Sequence, residues 1–162
     1  MKYDPRAAVR YAHRWAFERN PEWAAFDEMG GDCTNFVSQC LFAGCGVMNF
    51  TQSLGWYYID LRRRAPAWTG VEELRRFLGD NRGPGPWGEP RPIAAARAGD
   101  VIFLELDKGR FSHTALVVRE GSDPETILVA AHTRDCDNRP LISYPYKRAQ
   151  LVHIIGAGDE FA

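Results

Sequence analysis

The second half of the chain is divided into short apolar segments by tight turn sequences. The segments cover residues 100–106, 113–119, 126–132 and 151–155. Turn-forming residues separate them, as in Asp107-Lys108-Gly109. Parallel neighbours need a crossover of a dozen or more residues, so connections this short predict antiparallel strands.

The first half of the chain shows the periodicity of helices. Apolar residues recur every three or four positions between residues 5 and 19, after the start signal Asp4-Pro5. A second helix is predicted from about Cys33 to Ala43. A third is predicted from about Val71 to Leu78, with Thr69 as a possible cap.

Helices followed by strands indicate an α+β fold, with N-terminal helices packed on a C-terminal antiparallel sheet. The region around residues 56–68 is predicted to be irregular or partly helical. The Gly- and Pro-rich stretch 79–92 is predicted to be a loop. A length of 162 residues suits a single domain over residues 1–162.

Composition argues against several classes of partner. The net charge is −1, so neither nucleic acid nor an anionic membrane is a predicted partner. No apolar run is long enough for membrane insertion, and charges interrupt the first twenty residues, so we predict no signal peptide. The expectation is a cytoplasmic protein or a domain of a longer exported one. The cysteines form no close Cys-x2–4-Cys pair, so no zinc site and no cofactor are predicted.

Cys33 is the candidate nucleophile. It follows Gly30-Gly31-Asp32 and opens the second predicted helix. A helix N-terminus favours the thiolate, and its free backbone N–H groups can hold an oxyanion. Asp32 can line that site through its own N–H or cap the helix through its carboxylate. A buried, inert cysteine is the alternative.

A cysteine nucleophile needs a base, and His113 is the candidate because it opens a strand directly after a loop. A surface histidine in a hairpin is the alternative. His132 ends the next strand and is predicted to orient His113 by a hydrogen bond. Asp135 and Asn138, in the polar loop that follows, are also candidates for this third position.

Several motifs carry a resemblance to a known family. They are GGDCTNFVSQCLFAG (residues 30–44), AGDVIFLEL (98–106), SHTALVV (112–118) and HTRDCDNRPL (132–141). In this order they resemble the bacterial putative amidase domain family, which is similar to NlpC-like and CHAP-type cell-wall peptidases. The resemblance implies a papain-like fold, Cys33 as nucleophile, His113 as base and His132 in the third position. It also implies hydrolysis of an amide bond in a peptide or peptidoglycan-type substrate, through a thioester.

Two further functions stay open at this point. The same site could transfer its acyl group to an amine or alcohol instead of water. A hydrolase fold that has lost activity could instead bind glycan or peptide, with Trp56, Tyr57 and Trp68 as an aromatic platform.

Overall fold

The α-helices that the structure describes lie in the first half of the chain. A computed structural model describes residues 2–159. Its helices are α1 (Pro5–Trp15), α2 (Cys33–Cys45), α3 (Pro66–Thr69) and α4 (Val71–Asp80). The Asp4 carboxylate caps α1 by accepting from the N–H of Arg6 at 3.0 Å and of Ala7 at 3.2 Å, as the sequence predicts. Gly46, with φ 70°, ends α2 in the left-handed conformation.

The strands form one large antiparallel sheet and one small hairpin. The hairpin pairs β1 (Tyr58–Asp60) with β2 (Arg63–Arg64). The large sheet contains β3 (Gly85–Arg91), β4 (Val101–Glu105), β5 (His113–Arg119), β6 (Leu128–Ala131), β7 (Cys136–Pro140) and β8 (Arg148–Gly158). Within residues 2–159 its order is β3-β8-β4-β5-β6-β7, with every neighbouring pair antiparallel. The predicted α+β fold with an antiparallel sheet is therefore confirmed.

The large sheet carries a hydrophobic core on each face, because successive side chains of a strand point to opposite sides. The helix-side core joins α1, α2 and α4 to sheet residues including Val101, Phe103, Leu116, Val118, Ala130 and Val152. The opposite core includes Ile102, Leu104, Ala115, Val117, Val129 and Leu151. Short 3-10 turns at Ile93–Ala95 and Leu141–Ser143 contribute to this second core. The central strands β4, β5 and β6 and the adjoining part of β8 are thus apolar on both faces.

Some predicted elements are wrong. Residues 79–92 are not all loop, because β3 occupies Gly85–Arg91 and pairs with β8 along its length. Its prolines, Pro86 and Pro90, are tolerated because β3 is an edge strand. Thr69 does not cap α4, since Gly70 holds that position and the Thr69 hydroxyl accepts from Arg64 instead.

Helix length and hydropathy also bear on membrane insertion. Over the part of the chain that the structure describes, no helix is both long and apolar enough to cross a bilayer.

Candidate functional site

Two glycines bring the chain into α2. Gly30 has φ 101° and Gly31 has φ 108°, a region that favours glycine. A Cβ on Gly31 would lie 3.3 Å from Oγ1 of Thr133, which follows β6. The glycine turn (residues 30–32) therefore runs close beneath the chain after β6 and delivers Cys33 as the first residue of α2.

Cys33 is nearly sealed from solvent. It is 8% exposed, and its sulfur lies 3.8 Å from the hydroxyl of Thr34. The hydroxyl oxygens of Thr34 and Thr114 are 2.9 Å apart, which joins α2 to the start of β5. Burial raises the pKa of the Cys33 thiol, while hydrogen bonding from Thr114 and Thr34 offsets part of that rise. This direction is opposite to the lowering expected of a helix N-terminus, and burial is its largest cause.

Asp32 and His132 form a buried pair behind Cys33. Each side chain is 1% exposed, and Nδ1 of His132 lies 2.5 Å from Oδ2 of Asp32. Nε2 of His132 lies 2.8 Å from the carbonyl oxygen of Trp15. The carbonyl can only accept, so His132 donates through Nε2. With the donor hydrogen on Nε2, Nδ1 of His132 and Oδ2 of Asp32 need one further proton, on either group, to form a hydrogen bond with each other.

Asp32 uses its carboxylate to organise the glycine turn. Oδ1 accepts from the backbone N–H of Phe26 at 2.7 Å and from the side-chain amide of Asn35 at 2.9 Å. The carboxylate makes no capping hydrogen bond to α2, so that prediction is wrong. The backbone N–H of Asp32 donates to Oγ1 of Thr133 at 3.4 Å. That N–H therefore already has a partner in this structure.

His113 occupies the first position of β5, with its ring on the sheet face away from α2. It pairs across the strands with Leu104, whereas Thr114 pairs with Phe103 of the helix-side core. The His113 ring is 5.3 Å from the ring of Tyr144. Burial, with a smaller contribution from the charge of Arg139, lowers the pKa of His113 to about 4. The imidazole is therefore neutral near pH 7.

One ring atom of His113 stands out. Among the described residues, its Nε2 is the buried side-chain nitrogen or oxygen that has no hydrogen-bond partner. Buried polar atoms are nearly always bonded, and exceptions often mark functional positions. This nitrogen therefore has hydrogen-bonding capacity that the described residues leave unused.

The structure brings some of the predicted site residues together and separates others. Cys33 meets Thr114, the neighbour of His113, and Asp32 meets His132. Both ring nitrogens of His132 are engaged by Asp32 and Trp15, so His132 does not orient His113 by a hydrogen bond here. Asp135 pairs with Arg19, and Asn138 lies within β7 with φ 51°.

Sequence reasoning missed Thr114 and Arg19. Strand alternation could have indicated Thr114, because a residue next to His113 in a strand must face the opposite side. Arg19 contacts carboxylates that are 8 and 116 positions away in the chain, and no local pattern connects them.

The aromatic platform is not present as predicted. Trp56 and Trp68 are 0% exposed and lie within the helix-side core. Their indole N–H groups donate to Ser38 and Asn35 at 3.0 Å each. Tyr57 is only partly buried and stacks on Phe50, which leaves it without the two tryptophans as partners in a binding surface.

The fold and site define an α+β protein that holds a cysteine at a helix N-terminus against an antiparallel sheet. Residues 2–155 match the family described as "Putative amidase domain", and the chain belongs to that family. It is 32% identical over 140 residues to "Uncharacterized protein YhbB" of Bacillus subtilis (strain 168), covering 83% of this chain and 43% of that protein. The chain thus spans less than half the length of this relative. No solved structure matches the chain.

The description of that family names amidase activity, which is the hydrolysis of an amide bond.

Proposed function

We propose that this chain is a cysteine amidase or peptidase with Cys33 as nucleophile and His113 as base. One observation carries the proposal. Cys33 opens α2 beside Thr114, and the preceding residue, His113, has a buried ring nitrogen without a partner. A nucleophile and a neutral base on neighbouring elements are the two groups that acyl transfer requires.

The other histidines already have partners in this structure. Nδ1 of His13 lies 2.8 Å from Asp137, and Nδ1 of His153 lies 2.9 Å from Asp100. Both nitrogens of His132 are occupied. We therefore assign His132, with Asp32, the role of holding the glycine turn that positions Cys33, and keep His113 as the base.

The chemistry starts from a neutral pair. Burial raises the pKa of Cys33 and lowers that of His113, so a thiol and a neutral imidazole coexist near pH 7. His113 takes the thiol proton as sulfur attacks the amide carbon, and then returns it to the leaving amine. Water hydrolyses the resulting thioester, again with His113 as base. Backbone N–H groups in the first turn of α2 hold the oxyanion.

This scheme requires one movement. The His113 ring lies beside Tyr144, on the face away from α2. Because His113 and Thr114 face opposite sides of β5, the first residue of this strand must change its backbone conformation as well as its rotamer to bring the free nitrogen toward the sulfur. Substrate binding would have to accompany the rotation, since Cys33 is almost fully buried in this structure.

The fold type and the class of substrate belong to the same proposal. The order of a helix-borne cysteine followed by a strand-borne histidine supports a papain-like fold of the NlpC type. The family resemblance supports a peptide of the peptidoglycan type as substrate.

Substitution of the nucleophile tests the proposal. Cys33→Ala should lower turnover by at least about 10³-fold, because the proposed thioester forms on the sulfur of this residue. Cys45→Ala, at the other end of the same helix, is the matched control and should stay active. Products from peptidoglycan digests and synthetic stem peptides would be measured by mass spectrometry. A Cys33→Ala protein that cleaves every substrate of the parent at the parental rate would refute the assignment.

A further inference from the structure

Arg19 binds two carboxylates from distant parts of the chain. Its guanidinium donates to Asp27 at 3.0 and 2.6 Å and to Asp135 in two further bonds of 3.0 Å each. Its Nε also lies 3.7 Å from the buried carboxylate of Asp32. The Arg19 side chain is 29% exposed, so these pairs are partly shielded from water. Two-point contacts of this kind fix both distance and orientation.

The contact with Asp135 holds a segment directly above the glycine turn. Asp135 belongs to the β6–β7 turn (residues 132–135), whose Thr133 contacts Gly31 and Asp32. Thr133 has φ 65° and Arg134 has φ 57°, conformations that non-glycine residues adopt at a cost. External contacts must therefore hold this turn in place.

Arg19 supplies the positive charge that three neighbouring carboxylates share. Asp27, Asp32 and Asp135 converge on the one guanidinium. Hydrogen bonding from Arg19 is the main reason that the pKa of Asp27 is lowered. Without Arg19, Asp27 and Asp135 would repel each other, and the β6–β7 turn would lose the bonds of Asp135 while keeping those of His132 and Thr133 to Asp32.

We propose that Arg19 is a positioning residue that clamps the β6–β7 turn onto the glycine turn and so sets the depth and orientation of Cys33. The inference rests on the proposed function in taking Cys33 as the nucleophile. The clamp itself is a separate question, because it concerns whether the β6–β7 turn stays fixed to Gly31 and Asp32, the two residues before Cys33.

Cysteine labelling tests the clamp without reference to turnover. Iodoacetamide labelling of each cysteine would be followed by peptide mass spectrometry in Arg19→Gln, Arg19→Lys and the parent protein. Cys40 is 0% exposed in the core and therefore reports global unfolding. Arg14→Gln is the matched control, because Arg14 pairs with Glu18 at the solvent-exposed surface.

We expect Arg19→Gln to speed labelling of Cys33 by about 10-fold or more with Cys40 unchanged, because only local opening exposes Cys33. Its kcat should fall by about 10²-fold with little change in KM, as expected of a misplaced nucleophile. Arg19→Lys, which keeps the charge and loses the two-point geometry, should recover part of both effects. Arg14→Gln should match the parent.

Two results would overturn the clamp: Cys33 and Cys40 labelling that rise together, or Cys33 labelling that does not change. If Arg19→Gln does not fold, the labelling of Cys33 and Cys40 in Arg19→Lys is compared with the parent in the same way. If instead Cys33→Ala stays active, the proposed function fails while the labelling result still decides the role of Arg19.

Discussion

His113 is a titratable side chain placed where its charged form is disfavoured. It is 4% exposed, and burial lowers its pKa to about 4 from an ordinary 6.5. Between these two values the unfolded chain binds a proton that the folded chain does not. The free energy of unfolding therefore decreases as the pH falls from about 6.5 toward 4, because the unfolded chain is stabilised by protonation of His113.

Replacing His113 should remove this pH dependence. We expect His113→Gln to flatten the change in unfolding free energy between pH 7 and pH 4.5, where His113 contributes up to about 3 kcal/mol. Urea unfolding at both pH values measures this change in the free energy of unfolding. Val117→Ala, which trims a packed side chain on the same face of β5, should lower stability equally at both pH values. An unchanged pH slope in His113→Gln would contradict the lowered pKa.

At the level of single residues, the sequence could locate Cys33 but not its environment. The glycines and the apolar repeat placed it at a helix start, and the structure has it there. Its burial depends on β5, which lies about eighty residues away in the chain and brings Thr114 against the helix. Similarly, the bond of His132 to Asp32 depends on how the sheet meets α1 and α2.

Among the structural elements, the glycine turn depends on two backbone conformations that other residues adopt with strain. Gly31 combines φ 108° with close contact to Thr133. Gly79, in the last turn of α4, has helical surroundings and open space around its missing Cβ. The same substitution should therefore have opposite effects at the two positions.

We expect Gly31→Ala to destabilise the protein by about 1–3 kcal/mol, because the positive φ is strained and the Thr133 contact is tight. Gly79→Ala should stabilise it by about 0.5–1 kcal/mol through helix propensity. Thermal unfolding of both variants beside the parent gives the comparison. Equal effects of the two substitutions would show that the glycine turn is not constrained.

The elements that sequence reasoning found are those with a local signal. The periodic segments yielded α1, α2, α4 and the apolar strands, with β5 placed at its observed bounds. β3 was missed because its glycines and prolines resemble a loop, and only pairing with β8 makes it a strand. β7, with the polar sequence Cys136–Pro140, likewise depends on its neighbour β6.

At the scale of the whole molecule, one sheet separates two cores. Leu116 belongs to the helix-side core and Val129 to the opposite core, and both are 0% exposed. Their strands are adjacent, since β5 pairs with β6. Loss of packing on either face therefore weakens the same sheet.

Unfolding should consequently be a single cooperative transition that involves both cores. We expect Leu116→Ala to cost about 2–5 kcal/mol and Val129→Ala about 1–3 kcal/mol, with far- and near-UV circular dichroism changing together. Ile142→Ala, at a side chain 54% exposed, should stay within about 0.5 kcal/mol of the parent. Two separate transitions in either core variant would show that the faces unfold independently.

The α+β class followed from the order of local patterns, but the strand order β3-β8-β4-β5-β6-β7 did not. Placing the C-terminal strand β8 between β3 and β4 requires contacts between residues far apart in the chain. Such pairings leave little trace in a single sequence, because an apolar strand does not indicate which strand lies beside it, and β3 and β7 are not apolar.

The prolines of the outermost strands affect how folded copies meet one another. Pro86 and Pro90 lie in β3, and Pro140 ends β7 after Asn138, whose φ is 51°. Proline lacks an amide hydrogen, so a strand from another copy would find gaps in the row of donors along either border. Addition of a strand from another copy is therefore disfavoured at both borders of the sheet.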